Sequence, residues 1–298
     1  MSDTSIERVR YVWRDYLEIC KPKVVLLMLM CAAVGMFLAV PGMVPPNIIL
    51  CGLSGIALVA ASAAAINHIA DAQIDLRMAR TKDRPVATGR VSTTQGLVFA
   101  GITGSVGFVI LYYLVNPLTA LLNLTSWVGY GLVYTLYLKR ATPQNIVIGG
   151  LFGAAPPLFG WTAVTNSIEP GALLLVLIIY AWTPPHFWAL ALDRKAEYER
   201  ADVPMLPITH GEAYTRWQIL FYTVILLACS VLPFSIGMSG WPYLLAALAL
   251  GAIFVFWAVA MFTKRDKRVP IRTFRYSITY LMLLFLALLV DHYLPSAV

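Results

Sequence analysis

All 22 lysines and arginines of this chain fall in five short segments, and the stretches between those segments are apolar enough to cross a bilayer. That sorting constrains the fold more than any other feature. A segment needs about 20 mainly apolar residues to span the hydrocarbon core. Nine stretches qualify: 22–40, 48–70, 94–114, 118–138, 146–164, 171–192, 216–237, 241–262 and 274–293. Only 12% of residues are charged, about half the share in soluble domains, which is about 25%. Mean hydropathy is +0.74. The expected fold is therefore an all-α integral membrane protein, one polytopic domain over 1–298, with nine transmembrane helices around a central cavity.

The cations also orient the chain. Five lie at the N-terminal end (Arg8, Arg10, Arg14, Lys21, Lys23) and five between the second and third stretches (Arg77, Arg80, Lys82, Arg84, Arg90). Lys139 and Arg140 follow the fourth stretch. Arg194, Lys195, Arg200 and Arg216 follow the sixth, and Lys264, Arg265, Lys267, Arg268, Arg272 and Arg275 surround the last connection. The alternate loops carry none, so the positive-inside rule puts the N-terminus and the long loops in the cytoplasm and the C-terminus outside. A nucleic-acid patch needs no such alternation, and that partner is set aside. The polar start, "MSDTSIERVR", has no short apolar core followed by small residues, so no cleavable leader is expected. Cys20, Cys31, Cys51 and Cys229 form no CxxC pair and read as small core residues.

Acids appear where the cytoplasmic loops leave the membrane. Asn67, Asp71 and Asp75 are spaced i, i+4, i+8. On a helix they form one stripe about 12 Å long at 1.5 Å per residue. Such oxygen ligands suit Mg²⁺, which is commonly held by one or two carboxylates together with substrate phosphates. Arg80, Lys82 and Arg84 follow and could contact phosphate oxygens. A second corner closes the sixth stretch: Asp193 and Glu197 are again i, i+4, beside Arg194 and Lys195. Charges just beyond a span are often only solvated, and Asp83, Glu199, Asp202 and Asp266 are read that way. Acids at membrane depth are costly and mark sites. Two acidic corners holding metal around a diphosphate would stabilise its departure from an apolar tail lying between helices. Aromatic walls would shelter the allylic cation. No Walker loop, Gly-x-Ser-x-Gly or Cys–His dyad offers a protein nucleophile.

Four stretches carry a resemblance to a known family: "NHIADAQIDLRMARTKDRP" (67–85), "YLKRATPQNIVIGGLFGAAPPLFGW" (137–161), "TPPHFWALAL" (183–192) and "EYERADVPMLPITHG" (197–211). They resemble the intramembrane prenyltransferases of the UbiA superfamily and, within it, the branch that farnesylates haem. The resemblance implies a UbiA-type fold in a bacterial cytoplasmic membrane with the active site facing the cytoplasm. It also implies transfer of a farnesyl group from farnesyl diphosphate to a vinyl carbon of haem B, with addition of a hydroxyl. Mg²⁺ or Mn²⁺ is the implied cofactor. Haem B, farnesyl diphosphate and the lipid bilayer are the implied partners, with a haem A synthase or haem–copper oxidase assembly downstream. By position, Asn67, Asp71, Asp75, Asp193 and Glu197 become the metal set. Asp71, Asp75, Lys139 and Arg140 become the catalytic groups. Asn67, Arg80, Lys82, Arg84, Arg194 and Lys195 become the diphosphate contacts. Glu197 stands where the branch usually has Asp, which lengthens that arm.

Of His68, His186, His210 and His292, the best haem candidate is His186, about two turns before Asp193; the structural reading of a lone membrane histidine stands beside it. Gly149 and Gly153 form a GxxxG expected to pack the fifth span on a neighbour. Pro156–Pro157 and Pro184–Pro185 are expected to kink spans five and six. Trp13 and Trp241 read as interfacial anchors, and Trp161, Trp182 and Trp188 as cavity walls. Two rivals stay open: a sister enzyme prenylating an aromatic acid, and a transporter with cytoplasmic acidic gates. Replacing Asp71 by Ala is expected to stop turnover and leave folding intact.

Overall fold

The computed structural model describes residues 12–263 and 266–294, so Arg8, Arg10, Lys264 and Arg265 of the charge pattern lie outside the described residues. Every regular element among the described residues is helical. The chain runs α1 (Val12–Ile19), α2 (Pro22–Leu38), α3 (Pro46–Ala70), α4 (Ala72–Leu76), α5 (Thr93–Leu114) and α6 (Pro117–Trp127). A π-helical segment, Val128–Leu138, leads into α7 (Lys139–Ala141), α8 (Asn145–Gly153), α9 (Pro156–Thr165) and α10 (Pro170–Asp193). Then come α11 (Lys195–Arg200), α12 (Leu206–Thr209), α13 (Gly211–Ser235), α14 (Trp241–Thr263) and α15 (Val269–Tyr293). Proline opens many of these helices, where its missing N–H costs nothing. Helix α5 instead starts with a Ser92/Gln95 capping box.

Seven described helices are long and apolar enough to cross a membrane, with α8 and α9 together forming one of them. The pair α1–α2, bent by 50°, makes an eighth if it is one span. The expected fourth span, 118–138, is divided between α6 and the π-helical segment, each too short alone. The backbone stays helical through the join, with Val128 at φ −61° and ψ −48°.

Helix α10 lies at the centre. Leu175, Ile178, Ala181 and Trp182 on α10 pack with Tyr243 and Phe254 of α14 and with Tyr280 and Phe285 of α15. Polar contacts hold these helices where water is absent: Tyr243 donates to the Ser230 carbonyl at 2.7 Å, and the Ser230 and Tyr280 hydroxyls pair at 2.7 Å. Leu26, Leu50, Phe221 and Leu245 are among the large apolar side chains left on the outer surface. Helix α2 crosses α9 closely. A Cβ on Gly35 would collide with the Pro157 carbonyl, and one on Gly160 with the Ala32 carbonyl. The GxxxG pair is only half used. Gly149 abuts the Tyr134 ring, whereas a Cβ on Gly153 would meet open space. The prolines also act differently in the two spans. Pro156–Pro157 separates α8 from α9, while α10 continues through Pro184–Pro185. All four cysteines are free thiols.

Candidate active site

The first acidic stripe survives a break in the helix. Helix α3 stops at Ala70 and α4 starts at Ala72, yet Asp71 N still donates to Asn67 O at 3.0 Å and Asp75 N to Asp71 O at 2.8 Å. The i, i+4, i+8 alignment is therefore kept through the turn. Asn67, Asp71 and Asp75 are each only 3% exposed.

Each member meets a cation from elsewhere in the chain. Lys139, at the end of the π-helical segment, donates to Asp71 Oδ2 at 2.6 Å. Arg84, from the long loop, shares its Nη1 between both oxygens of Asp75, each at 2.9 Å. Lys21 donates to Asn67 Oδ1, and Asn67 Nδ2 donates to Thr135 Oγ1 at 3.2 Å. Lys21 sits in the bend between α1 and α2 with a left-handed backbone, φ 51°. Burial pulls its ammonium down to about 7, with Arg84 and Lys139 acting the same way against Asp71 and Asp75. A buried acid already holding a cation is not a bystander in folding. The expectation that Asp71→Ala leaves folding untouched is therefore revised: it would strand Lys139, itself mostly buried.

The second corner repeats the pattern. Arg194 donates to Glu197 Oε1 at 2.9 Å and lies 3.1 Å from Asp193 Oδ2. Glu197 is buried, and Asp193 half-buried. The loops carrying the two corners pack on each other. Met78 is buried with Ala201, Val203 and Met205, and Arg77 reaches Asp202 at 2.9 Å on the exposed rim. The Tyr198 phenol registers both motifs: burial pushes it up, Arg80 opposes, Glu197 and Asp71 add to the rise, and Arg194 opposes.

Other candidates lie apart. Arg140 is exposed and donates to the Ala70 carbonyl at 3.0 Å, closing the end of α3. Lys195 turns away to Glu212 at 3.2 Å, which Arg216 shares. Lys82 is exposed, whereas Arg80 and Arg84 line a groove of about 500 Å³ with Lys21, Lys23, Arg14 and His68. His186 is held between aromatic rings in the half of α10 that ends at Asp193. His292 Nε2 lies 3.0 Å from the Val40 carbonyl and ties down the opposite end of the bundle. Trp13 and Trp241 are exposed, and Trp161, Trp182 and Trp188 are buried. Lys21 and Thr135 were missed from sequence. Lys21 was counted only for orientation, although its place beside the first proline of a span was visible.

The donor set fits a hard cation. Among the described residues no three His, Cys, Asp or Glu side chains cluster closely enough to hold a metal by themselves. What remains is one free oxygen in each corner. Asp71 Oδ1 and Glu197 Oε2 are buried with no hydrogen-bond partner. Buried unsatisfied carboxylate oxygens are rare and ask for an ion or ligand. Carboxylates completed by phosphate oxygens are the usual way Mg²⁺ is held.

The helical scaffold is that of an intramembrane prenyltransferase: residues 28–289 match the model of the UbiA prenyltransferase family, and the chain belongs to that family. Its relatives include protoheme IX farnesyltransferases from Hahella chejuensis, 60% identical over 99% of both chains, and from Legionella pneumophila strain Corby, 60% identical over 94% of this chain and 96% of the relative. Solved structures agree on the fold. A digeranylgeranylglyceryl phosphate synthase superposes with a TM-score of 0.79 at 18% identity, covering 95% of this chain and 99% of that one. A UbiA homologue from Archaeoglobus fulgidus, bound to GPP and Mg²⁺, superposes with a TM-score of 0.67 at 15% identity, covering 92% and 99%.

Proposed function

We propose that this chain is a metal-dependent farnesyltransferase that acts on protohaem IX at the cytoplasmic face of a bacterial inner membrane. The observation that carries the reading is the pair of buried carboxylates, Asp71 and Glu197, each with one oxygen on a cation and the other free. The choice of acceptor is supported by relatives at about 60% identity along nearly their whole length. A divalent cation, Mg²⁺ or Mn²⁺, would be held by Asn67, Asp71 and Asp75 on one side and Asp193 and Glu197 on the other. It would supply charge stabilisation for a departing diphosphate.

The chain's own residues do the rest. Lys21, Lys139, Arg84 and Arg194 form a ring of cations already aimed at the site's oxygens, and Arg80 lines the approach. As the farnesyl C–O bond breaks, its electron pair goes to the diphosphate, and these cations stabilise that charge. The buried apolar surroundings keep water from the allylic cation until the vinyl terminal carbon bonds to it. Water then adds to the adjoining carbon and loses a proton, giving the hydroxyethylfarnesyl product and free diphosphate. A haem A synthase or haem–copper oxidase assembly would consume that product. The π-helical segment and α6 cross as one rod in this reading, which restores nine spans. The cation-rich loops then face the cytoplasm.

Purified protein in detergent, given haem B, farnesyl diphosphate and Mg²⁺, should yield a haem heavier by farnesyl plus hydroxyl, and only with metal present. An unchanged haem with consumption of an aromatic acid would move the assignment to a sister enzyme. No consumption of any prenyl diphosphate would overturn the catalytic reading.

A further inference from the structure

Asn67 is the uncharged member of the first acidic stripe, and its amide is held at both ends. The Thr135 hydroxyl donates its single hydrogen to the Tyr130 carbonyl at 2.7 Å. Thr135 Oγ1 must then accept, and it takes the Asn67 Nδ2–H at 3.2 Å. That fixes which end of the amide is which, and leaves Oδ1 as the end that Lys21 Nζ takes. Lys21 is the residue at which the α1–α2 pair bends by 50°. Its backbone is left-handed, with φ 51° and ψ 59°. L side chains seldom enter that region, and glycine is its usual occupant. A lysine at this bend points to a use for its ammonium.

The three contacts to the stripe differ in kind. Lys139 meets a carboxylate and leaves Asp71 Oδ1 without a partner. Arg84 Nη1 meets both oxygens of a carboxylate. Lys21 meets a neutral amide and covers the one oxygen that side chain has. An ammonium gains less from an uncharged acceptor than from an anion. Its four-carbon stem lets it swing to a stronger one. The groove of about 500 Å³ beside it would admit an anion: Arg14, Lys21, Lys23, Arg80 and Arg84 line it against Glu18 and Asp83. A divalent cation cannot share Asn67 Oδ1 with the ammonium, because like charges at contact distance repel strongly where water is scarce.

We propose that Lys21 is a positioning residue that competes with the divalent cation for Asn67 Oδ1. It yields that oxygen when a diphosphate draws its ammonium away, so that metal and diphosphate enter together. The inference rests on the metal–diphosphate reading of the site and deepens it. Lys21 then has two opposed effects: it weakens binding of metal alone and strengthens binding of diphosphate. By linkage, each ligand raises the affinity for the other by the same factor. No covalent bond forms or breaks in the exchange; an ion pair replaces a charge–dipole contact.

The test uses the full chain in detergent, titrated with Mn²⁺ and read by the EPR signal of the free ion. Lys21→Met should fold, because its partner is neutral and no opposite charge is stranded; the unfolding temperature checks this. It should bind Mn²⁺ alone about 10-fold tighter than wild type, within the usual range of coupling between ligands. It should bind farnesyl thiolodiphosphate, an unreactive analogue, more weakly than wild type in calorimetry without metal. A site merely loosened by the change would weaken both. Lys21→Arg keeps a cation at Asn67 and should bind Mn²⁺ as weakly as wild type. Lys23→Met removes a charge from the same groove and should leave Mn²⁺ binding unchanged. In an Asn67→Ala background, Lys21→Met should bring no gain. If Lys21→Met folds and binds Mn²⁺ no tighter than wild type, or if the gain survives Asn67→Ala, the inference is overturned while the metal reading stands. If wild type holds no Mn²⁺ even with the analogue present, beyond what the analogue holds alone, the inference and the metal reading fall together.

Discussion

The Asp71–Lys139 pair provides the sharpest separation of folding from chemistry. Its side chains are 4% and 16% exposed, and the contact is 2.6 Å. Removing one member of a buried pair leaves the other charge uncompensated, at a cost of about 3–5 kcal/mol. With Lys139 partly open, the lower end applies. Asp71→Asn and Lys139→Gln should each destabilise by about 3 kcal/mol. The double variant has no stranded charge. It should recover about 2 kcal/mol relative to the sum of the single changes, within the usual range for contacting residues. Thermal unfolding in detergent, followed by tryptophan fluorescence, measures the cycle. Diphosphate release from farnesyl diphosphate is measured on the same samples. Loss of about 3 kcal/mol of transition-state stabilisation corresponds to more than about 100-fold in rate. Activity should therefore stay down in the double variant even as stability returns. Additive destabilisation would refute the pairing. Recovery of activity along with stability would refute the assignment of Asp71 to the chemistry.

Gly160→Ala should destabilise by about 3 kcal/mol or more, because its Cβ would meet the Ala32 backbone and force α2 from α9; thermal unfolding checks it. Burial pushes the Cys20 thiol up to about 11 from 9.0. Because the folded value exceeds the unfolded one, its contribution to stability is present below about 9 and is lost as pH rises through about 11. Maleimide labelling of Cys20 in the folded protein should accordingly be slow at pH 8 and accelerate only at strongly alkaline pH. Chelation with EDTA should abolish diphosphate release without lowering the unfolding temperature by more than a few degrees, since each acid keeps a cationic partner.

The stripe Asn67–Asp71–Asp75 was legible because helical periodicity alone puts residues four apart on one face, and even the break at Asp71 keeps that hydrogen-bond spacing. The partners were not. Lys21 and Asn67 are 46 positions apart, Asn67 and Thr135 are 68, and His186 and Ser277 are 91. Spacing along one helix carries no information about which neighbour arrives from another. Hydropathy likewise located the stretch 118–138 but not its division into α and π geometry, because both are equally apolar. The GxxxG motif misdirected attention to Gly153, while the tight crossing fell at Gly35 and Gly160, which lie on different helices and form no motif.

The choice of lysine against arginine separates two kinds of corner contact. Arg84 shares a single nitrogen, Nη1, between both oxygens of Asp75, whereas Lys139, a compact point charge, takes only Asp71 Oδ2 and leaves Oδ1 open. If the open oxygen is the metal's, then charge is not the property that matters at 139; the number of donors is. Lys139→Arg keeps the charge and adds a planar fork able to claim both Asp71 oxygens. It should raise the Mg²⁺ concentration for half-maximal turnover about 10-fold or more, roughly 1.4 kcal/mol, with little loss of stability. Arg84→Lys keeps one charged nitrogen for Asp75: it should lose no more than about 1 kcal/mol of stability and leave the Mg²⁺ requirement nearly unchanged. Both curves come from diphosphate release titrated with Mg²⁺ at saturating farnesyl diphosphate. An unchanged Mg²⁺ curve for a folded Lys139→Arg variant would mean that Asp71 Oδ1 is not a ligand, and that the metal is held by Asp75 and the second corner without it.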